Sequence, residues 1–173
     1  FFTELFKKFP SLPLIAEDLG VITPDVKDIM NKFGFPGMKV LLFAFEDDFP
    51  TNPYAPHNHV KNCVVYTGTH DNNTIKGWFK KELNSDSKNR LSEYLGREVL
   101  NKTVHWDLIR IAMESVADIA IVPMQDILGL GERARMNLPA TSKGNWQWRV
   151  AKRQLSPALI KKLPDMTTIA GRA

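Results

Sequence analysis

The feature that most constrains this chain is an alternation of short apolar runs with amphipathic helical patterns, repeated four times along 173 residues. The runs are Leu14-Ile15-Ala16, Met38 to Phe45, Cys63 to Tyr66 and Ile119 to Pro123. Each is bounded by polar or charged residues on its C-terminal side. The Met38–Phe45 run is nearly continuous, as expected of a strand covered on both faces. Between the runs, apolar residues recur at helical spacing. Val26, Ile29, Met30 and Phe33 follow a Thr23-Pro24 start and stop at Gly34. Further helices are expected over 1–9, 73–83, 87–99, 104–117 and about 156–163. Strand and helix in regular turn predict parallel βαβ units and an α/β fold.

Four parallel strands fit either an open doubly wound sheet or half of a (β/α)8 barrel. The apolar pattern alone does not separate them. An open nucleotide-binding sheet needs a glycine-rich phosphate turn after a strand, and Gly129-Leu130-Gly131 lacks the third glycine of that turn. The expectation is therefore the C-terminal half of a (β/α)8 TIM barrel, with residues 1–173 as one unit. Such a half would leave its first and last strands as unpaired edges.

Composition narrows the function. The chain is 43% hydrophobic and 24% charged, which suits a packed domain. A net charge of +4 is spread along the chain, in pairs such as Lys7-Lys8, Lys80-Lys81 and Lys161-Lys162, and this reads as solvated helix faces. Neither nucleic acid nor membrane is an expected partner; no apolar run approaches the roughly 20 residues a span needs. The single cysteine, Cys63, forms no disulfide within the chain and reads as a buried small hydrophobe. With no signal peptide at the start, a cytoplasmic location is expected, or a plastid if a leader lies elsewhere. The first residue is Phe1 rather than Met, so the chain is expected to begin inside a longer protein.

The chemistry gathers at the strand ends, where a barrel builds its active site. Those ends carry Glu17-Asp18, the long loop with Asn52-Pro53-Tyr54 and His57-Asn58-His59, then His70-Asp71, then Gln125-Asp126. Carboxylates with histidine and amide neighbours suit a polyhydroxylated ligand. Glycosyl transfer needs two carboxyl groups flanking the scissile bond, around an oxocarbenium-like transition state. Each residue also has a plainer reading. Asp18 and Asp71 would serve equally as helix caps, and His70 as a structural histidine. Trp146 and Trp148 read as core residues in preference to sugar platforms. His57 and His59 have no Cys or acidic partner nearby, so no metal site is read. The absence of a Gly-x-Ser-x-Gly elbow disfavours an acyl-transfer serine.

The ordered motifs carry a resemblance. Leu14-Ile15-Ala16-Glu17-Asp18-Leu19-Gly20-Val21-Ile22-Thr23, Pro36-Gly37-Met38-Lys39-Val40-Leu41 and Asn52-Pro53-Tyr54-Ala55-Pro56-His57-Asn58 come first. Val64 to Thr74, with His70-Asp71-Asn72-Asn73, follows. Met124 to Gly131, Ala134 to Pro139 and Gly144-Asn145-Trp146-Gln147-Trp148-Arg149 complete the set. Together they resemble the 4-alpha-glucanotransferases, the amylomaltase and disproportionating-enzyme family, over nearly the whole chain. The resemblance implies transfer of alpha-1,4-glucan segments between maltodextrins by a retaining double displacement, with no metal and no cofactor. It implies that Glu17 is the general acid/base and Asp71 the carboxylate that stabilises the transition state. His70 would hold a glucose hydroxyl beside Asp71. Asn137 and the Asn52 loop are candidates for acceptor-side contacts.

One departure limits the inference. The family's nucleophile is an Asp preceded two residues earlier by an Arg, and no Arg-x-Asp occurs in this sequence. Both residues are expected on an N-terminal half of the same polypeptide, so the isolated chain is expected to be inactive. Asp126 is the only internal substitute at a strand end. The alternative function is a maltodextrin-binding or interaction fragment without chemistry.

Overall fold

The computed structural model describes residues 1–172; Ala173, the last residue of the expected unit, lies outside the described residues. Three strands form a parallel sheet in the order β1 (Gly37–Val40), β2 (Cys63–Tyr66), β3 (Ile119–Ile121). Met38 stands opposite Val64, and Val64 opposite Ile119. Parallel neighbours need a long crossover. Between β2 and β3 it is helical, through α3 (Ile75–Lys81), α4 (Ser85–Leu95) and α5 (Val104–Glu114). Between β1 and β2 it is the long loop, with 3-10 turns at Leu41–Phe43 and Pro56–Asn58. Ahead of the sheet lie α1 (Phe2–Lys8) and α2 (Pro24–Phe33), the latter ending at Gly34 with φ 66° as its composition predicts. After β3 come α6 (Met124–Ile127) and α7 (Pro157–Ile169).

The core lies between the sheet and the crossover helices. Leu41, Phe45, Val65, Ile75 and Leu108 are fully buried within it. Of the apolar face expected from the spacing of Leu108, Ile111, Ala112, Ser115 and Val116, the first three are buried on α5, while the helix ends at Glu114 and leaves Val116 exposed.

The helices expected over 87–99 and 104–117 end earlier, at Leu95 before a left-handed Gly96 and at Glu114, and three further expectations change. Leu14-Ile15-Ala16 is not a strand. It runs beside β1 with the Ala16 N–H donating to the Pro36 carbonyl at 2.9 Å, but the Met38 N–H is taken by the Asp18 carboxylate at 2.6 Å. A side chain occupies the place of the next ladder bond, so pairing stops there. The Met38–Phe45 run is strand only to Val40 and then coils into a 3-10 turn, Leu41–Phe43. A short buried run has the same apolar pattern in either conformation. The last helix runs through Pro164 to Ile169, where the expectation stopped it at 163. The Thr167 hydroxyl donates to the Leu163 carbonyl at 2.7 Å in that turn. Among the described residues no helix is long and apolar enough to cross a membrane.

Candidate functional site

Glu17 sits on the segment beside β1, and its neighbours fix its place. The Ala16 and Asp18 bonds anchor it on both sides. A Cβ on Gly37 would lie 2.4 Å from Asp18 Oδ2, so only glycine lets the carboxylate approach β1 this closely. Asp18 therefore bonds to β1 and caps no helix; Thr23 holds the cap position of α2. Glu17 itself is exposed. Its charge reaches Tyr66, at the end of β2, whose phenol is pushed up first by burial and then by Glu17. The candidate acid/base thus neighbours the strand that leads into His70-Asp71.

Asp71 is not a cap either. The α3 cap is Thr74, whose side chain accepts from the Gly77 N–H at 3.1 Å. The loop between β2 and α3 is shaped by its own amides. Asn72 Oδ1 accepts from the Thr69 N–H at 2.8 Å and from its hydroxyl at 2.9 Å. Asn73 Oδ1 accepts from the Thr74 N–H at 2.9 Å. At the tip, Asp71 and His70 are both about half exposed, with His70 Nε2 3.4 Å from Asp71 Oδ1.

A second loop braces this tip. The Asn137 side-chain amide donates to Asp71 Oδ1 at 2.5 Å, and the Asn137 N–H to the His70 carbonyl at 3.0 Å. Arg135 donates to the Asp71 carbonyl at 2.6 Å and to the Asn137 carbonyl at 2.8 Å. Asn137 therefore orients the Asp71 carboxylate. Arg135 is not singled out in the sequence; its signal there is its place in the Ala134–Pro139 motif, two residues before Asn137. Trp146 packs its ring 5.0 Å from that of His70. It is 54% exposed, so the core reading fails for it. Its φ of 62° is a left-handed conformation uncommon for a bulky residue, held by an N–H bond to the Met136 carbonyl at 2.7 Å. Trp148 is partly buried.

Two other candidates are placed differently from the sequence expectation. Asn52 is buried, and its amide is committed inside the long loop. It donates to the Phe43 carbonyl at 3.0 Å and to Asp48 at 2.8 Å, and accepts from the Tyr54 N–H at 2.8 Å. It shapes the loop rather than facing a ligand. Asp126 is 2% exposed with both oxygens bonded, and so is unsuited to be a substitute nucleophile. Burial pushes its carboxyl up to about 6 against the two bonds that favour its charge. A cavity of about 150 Å³ lies between Thr69, His70, Gln125, Arg135 and Trp146. Among the described residues no group of three His, Cys, Asp or Glu side chains is arranged to hold a metal ion.

This arrangement, an exposed carboxylate oriented by an amide and flanked by a histidine and an indole, suits hydroxyl-rich ligands with developing positive charge. A family model for 4-alpha-glucanotransferase matches residues 1–155. A 4-alpha-glucanotransferase of Synechocystis sp. is 52% identical over 99% of this chain and 34% of its own length. The chloroplastic/amyloplastic 4-alpha-glucanotransferase of Solanum tuberosum is 46% identical over 99% of this chain and 30% of its own length. Among solved structures, the amylomaltase from Streptococcus agalactiae in complex with acarbose superposes with a TM-score of 0.94 at 37% identity. That match covers 99% of this chain and 34% of the amylomaltase. The chain spans about a third of the length of these relatives. It belongs to the 4-alpha-glucanotransferase family.

Proposed function

We propose that this chain is the C-terminal part of a 4-alpha-glucanotransferase and carries two of its three catalytic carboxyl groups. It would form the second half of a (β/α)8 barrel. The nucleophile, and the Arg two residues before it, would come from the N-terminal part of the same polypeptide. Glu17 would protonate the leaving glycosidic oxygen and then deprotonate the incoming sugar 4-hydroxyl. Asp71 would stay ionised beside the oxocarbenium-like centre and accept bonds from the sugar hydroxyls there. His70 would hold one such hydroxyl, and Trp146 would offer its exposed face to a glucosyl ring. Asn137 would act mainly by aiming Asp71, and Asn52 by shaping the loop around Tyr54. Maltodextrins are the proposed substrates, in the cytoplasm or, as the name of the potato relative indicates for that protein, in a plastid.

The observation that carries the reading is the Asp71 carboxylate held 2.5 Å from the Asn137 amide, with His70 beside it and Trp146 against His70, in a chain of this family. The test is maltotriose disproportionation by the full-length polypeptide. Wild type should release glucose and longer dextrins, and Glu17→Gln should lower the rate by about 10²–10⁴-fold, the usual contribution of an acid/base group. A polypeptide that binds maltodextrin and transfers nothing would instead favour a binding role.

A further inference from the structure

The loop that presents His70 and Asp71 leaves β2 at Thr67 and enters α3 at Ile75, and Asp71 stands four residues from each of those points. Both points are attached to one side chain. Asp126 Oδ2 accepts from the Thr67 hydroxyl at 2.9 Å, and Oδ1 accepts from the Ile75 N–H at 2.8 Å. The Ile75 amide begins α3 and has no partner within the helix, so the carboxylate satisfies a donor that would otherwise be buried and orphaned. Asp126 lies in α6, immediately after β3, and is itself anchored, since its N–H donates to the Pro123 carbonyl at 3.0 Å. The two feet of the loop are therefore referred to the end of the neighbouring strand.

We infer that Asp126 is a positioning residue for glucanosyl transfer, clasping Thr67 and Ile75 so that the loop between them holds Asp71 and His70 in place. The inference rests on the role proposed for Asp71. Two features support it. The carboxylate keeps its site despite an unfavourable burial that raises its pKa. An apolar side chain of similar size would avoid that desolvation, but it would leave the Ile75 N–H without its acceptor and the Thr67 foot with only its backbone bond to the Ile121 carbonyl at 3.3 Å. The braces from Arg135 and Asn137 act on the tip of the loop, and Asp126 is the side chain that reaches both of its feet. Loosening the feet would shift Asp71 without detaching it, and small misplacements of a catalytic group are expensive in rate.

The test uses the full-length polypeptide with Asp126→Ala, Asp126→Asn and Thr67→Val, reading maltotriose disproportionation and amide hydrogen exchange over residues 68–74. Asp126→Ala should lower kcat by about 10–100-fold, move KM much less, and speed exchange in that loop. Asp126→Asn should recover most of kcat. Its amide oxygen accepts from Ile75, and its NH₂ donates to Thr67 Oγ1. Thr67→Val keeps the shape, removes one foot and should fall between; it also decides the matter if Asp126→Ala does not fold. An Asp126→Asn enzyme as slow as Asp126→Ala would overturn the inference by showing that the charge itself is needed. So would unchanged kcat and exchange in Thr67→Val. If the wild type transfers nothing, the proposed function fails separately, and the exchange data alone judge the clasp: unchanged protection in the variants overturns it.

Discussion

Two buried side chains, Asp126 and His105, titrate far from their usual ranges and in opposite senses. Burial raises the Asp126 carboxyl from 3.8 to about 6. The folded state then holds that proton more tightly than the unfolded one. The resulting stability is fully present below about pH 4 and is lost as pH rises through 6. Burial, then Lys76 and Lys162, lowers His105 from 6.5 to about 4. Its contribution is present above 6.5 and is lost as pH falls through 4. Between pH 4 and 6 the two slopes oppose. Asp126→Asn removes the first and leaves the second, so its stability relative to wild type should rise with pH over that interval. The rise should be at most roughly 3 kcal/mol, from about two pKa units at 1.36 kcal/mol each. Urea denaturation at pH 4.5 and pH 7 measures it, and parallel behaviour of the two proteins would contradict the assignment. At this scale the sequence singled out candidate side chains, Asp126 and Asn137 among them, but not the bonds each of them makes. Glu17, His70 and Asp71 follow short apolar runs, where position alone draws attention. Arg135 and Asp126 act through contacts with residues more than 50 positions away, and no local pattern encodes those.

The start of α3 shows how little slack the site's supporting elements have. Asn73 is buried, with its carbonyl oxygen on the Thr74 N–H and its amide on Glu82 at 2.7 Å. A Cβ on Gly77 would lie 2.1 Å from Asn73 Oδ1. Alanine favours a helix over glycine by about 1 kcal/mol, so an unobstructed Gly77→Ala would stabilise. Here the collision should reverse the sign, with a net loss of roughly 1–3 kcal/mol as in other overpacked sites. Chemical denaturation reads the result, and a more stable variant would show that Asn73 can move aside. Helix α3 itself was legible from its pattern, as were α2, α4 and α5, because each shows one apolar face. The strand expected at Leu14–Ala16 was not, because its ladder is ended by Asp18, a tertiary choice by a side chain. The 3-10 turn at Leu41–Phe43 hid within a buried run that reads the same as strand.

At the scale of the molecule the sheet is open. Ile119 and Ile121 are 44% and 40% exposed on β3, and Ile15 and Val21 are exposed near the other edge. Exposed apolar edges are normally covered, which accords with a proposal that further strands of the same polypeptide complete a barrel. If the nucleophile lies on the N-terminal part, as proposed, the isolated chain should show no maltotriose transfer. Turnover at the rate of the full-length enzyme would refute this and return attention to the chain's own carboxylates.

The sequence by itself determined the family and most of the alternation of elements, because these depend on local spacing and on residue type. Tertiary structure alone decided which carboxylates remain free. Asp18, Asp71 and Asp126 look alike as acidic residues after apolar runs. Folding bonds Asp18 to a strand backbone and Asp126 to the feet of a loop. It leaves Asp71 half exposed under a single amide. A carboxylate's role follows from the donors that reach it, and those come from distant parts of the chain.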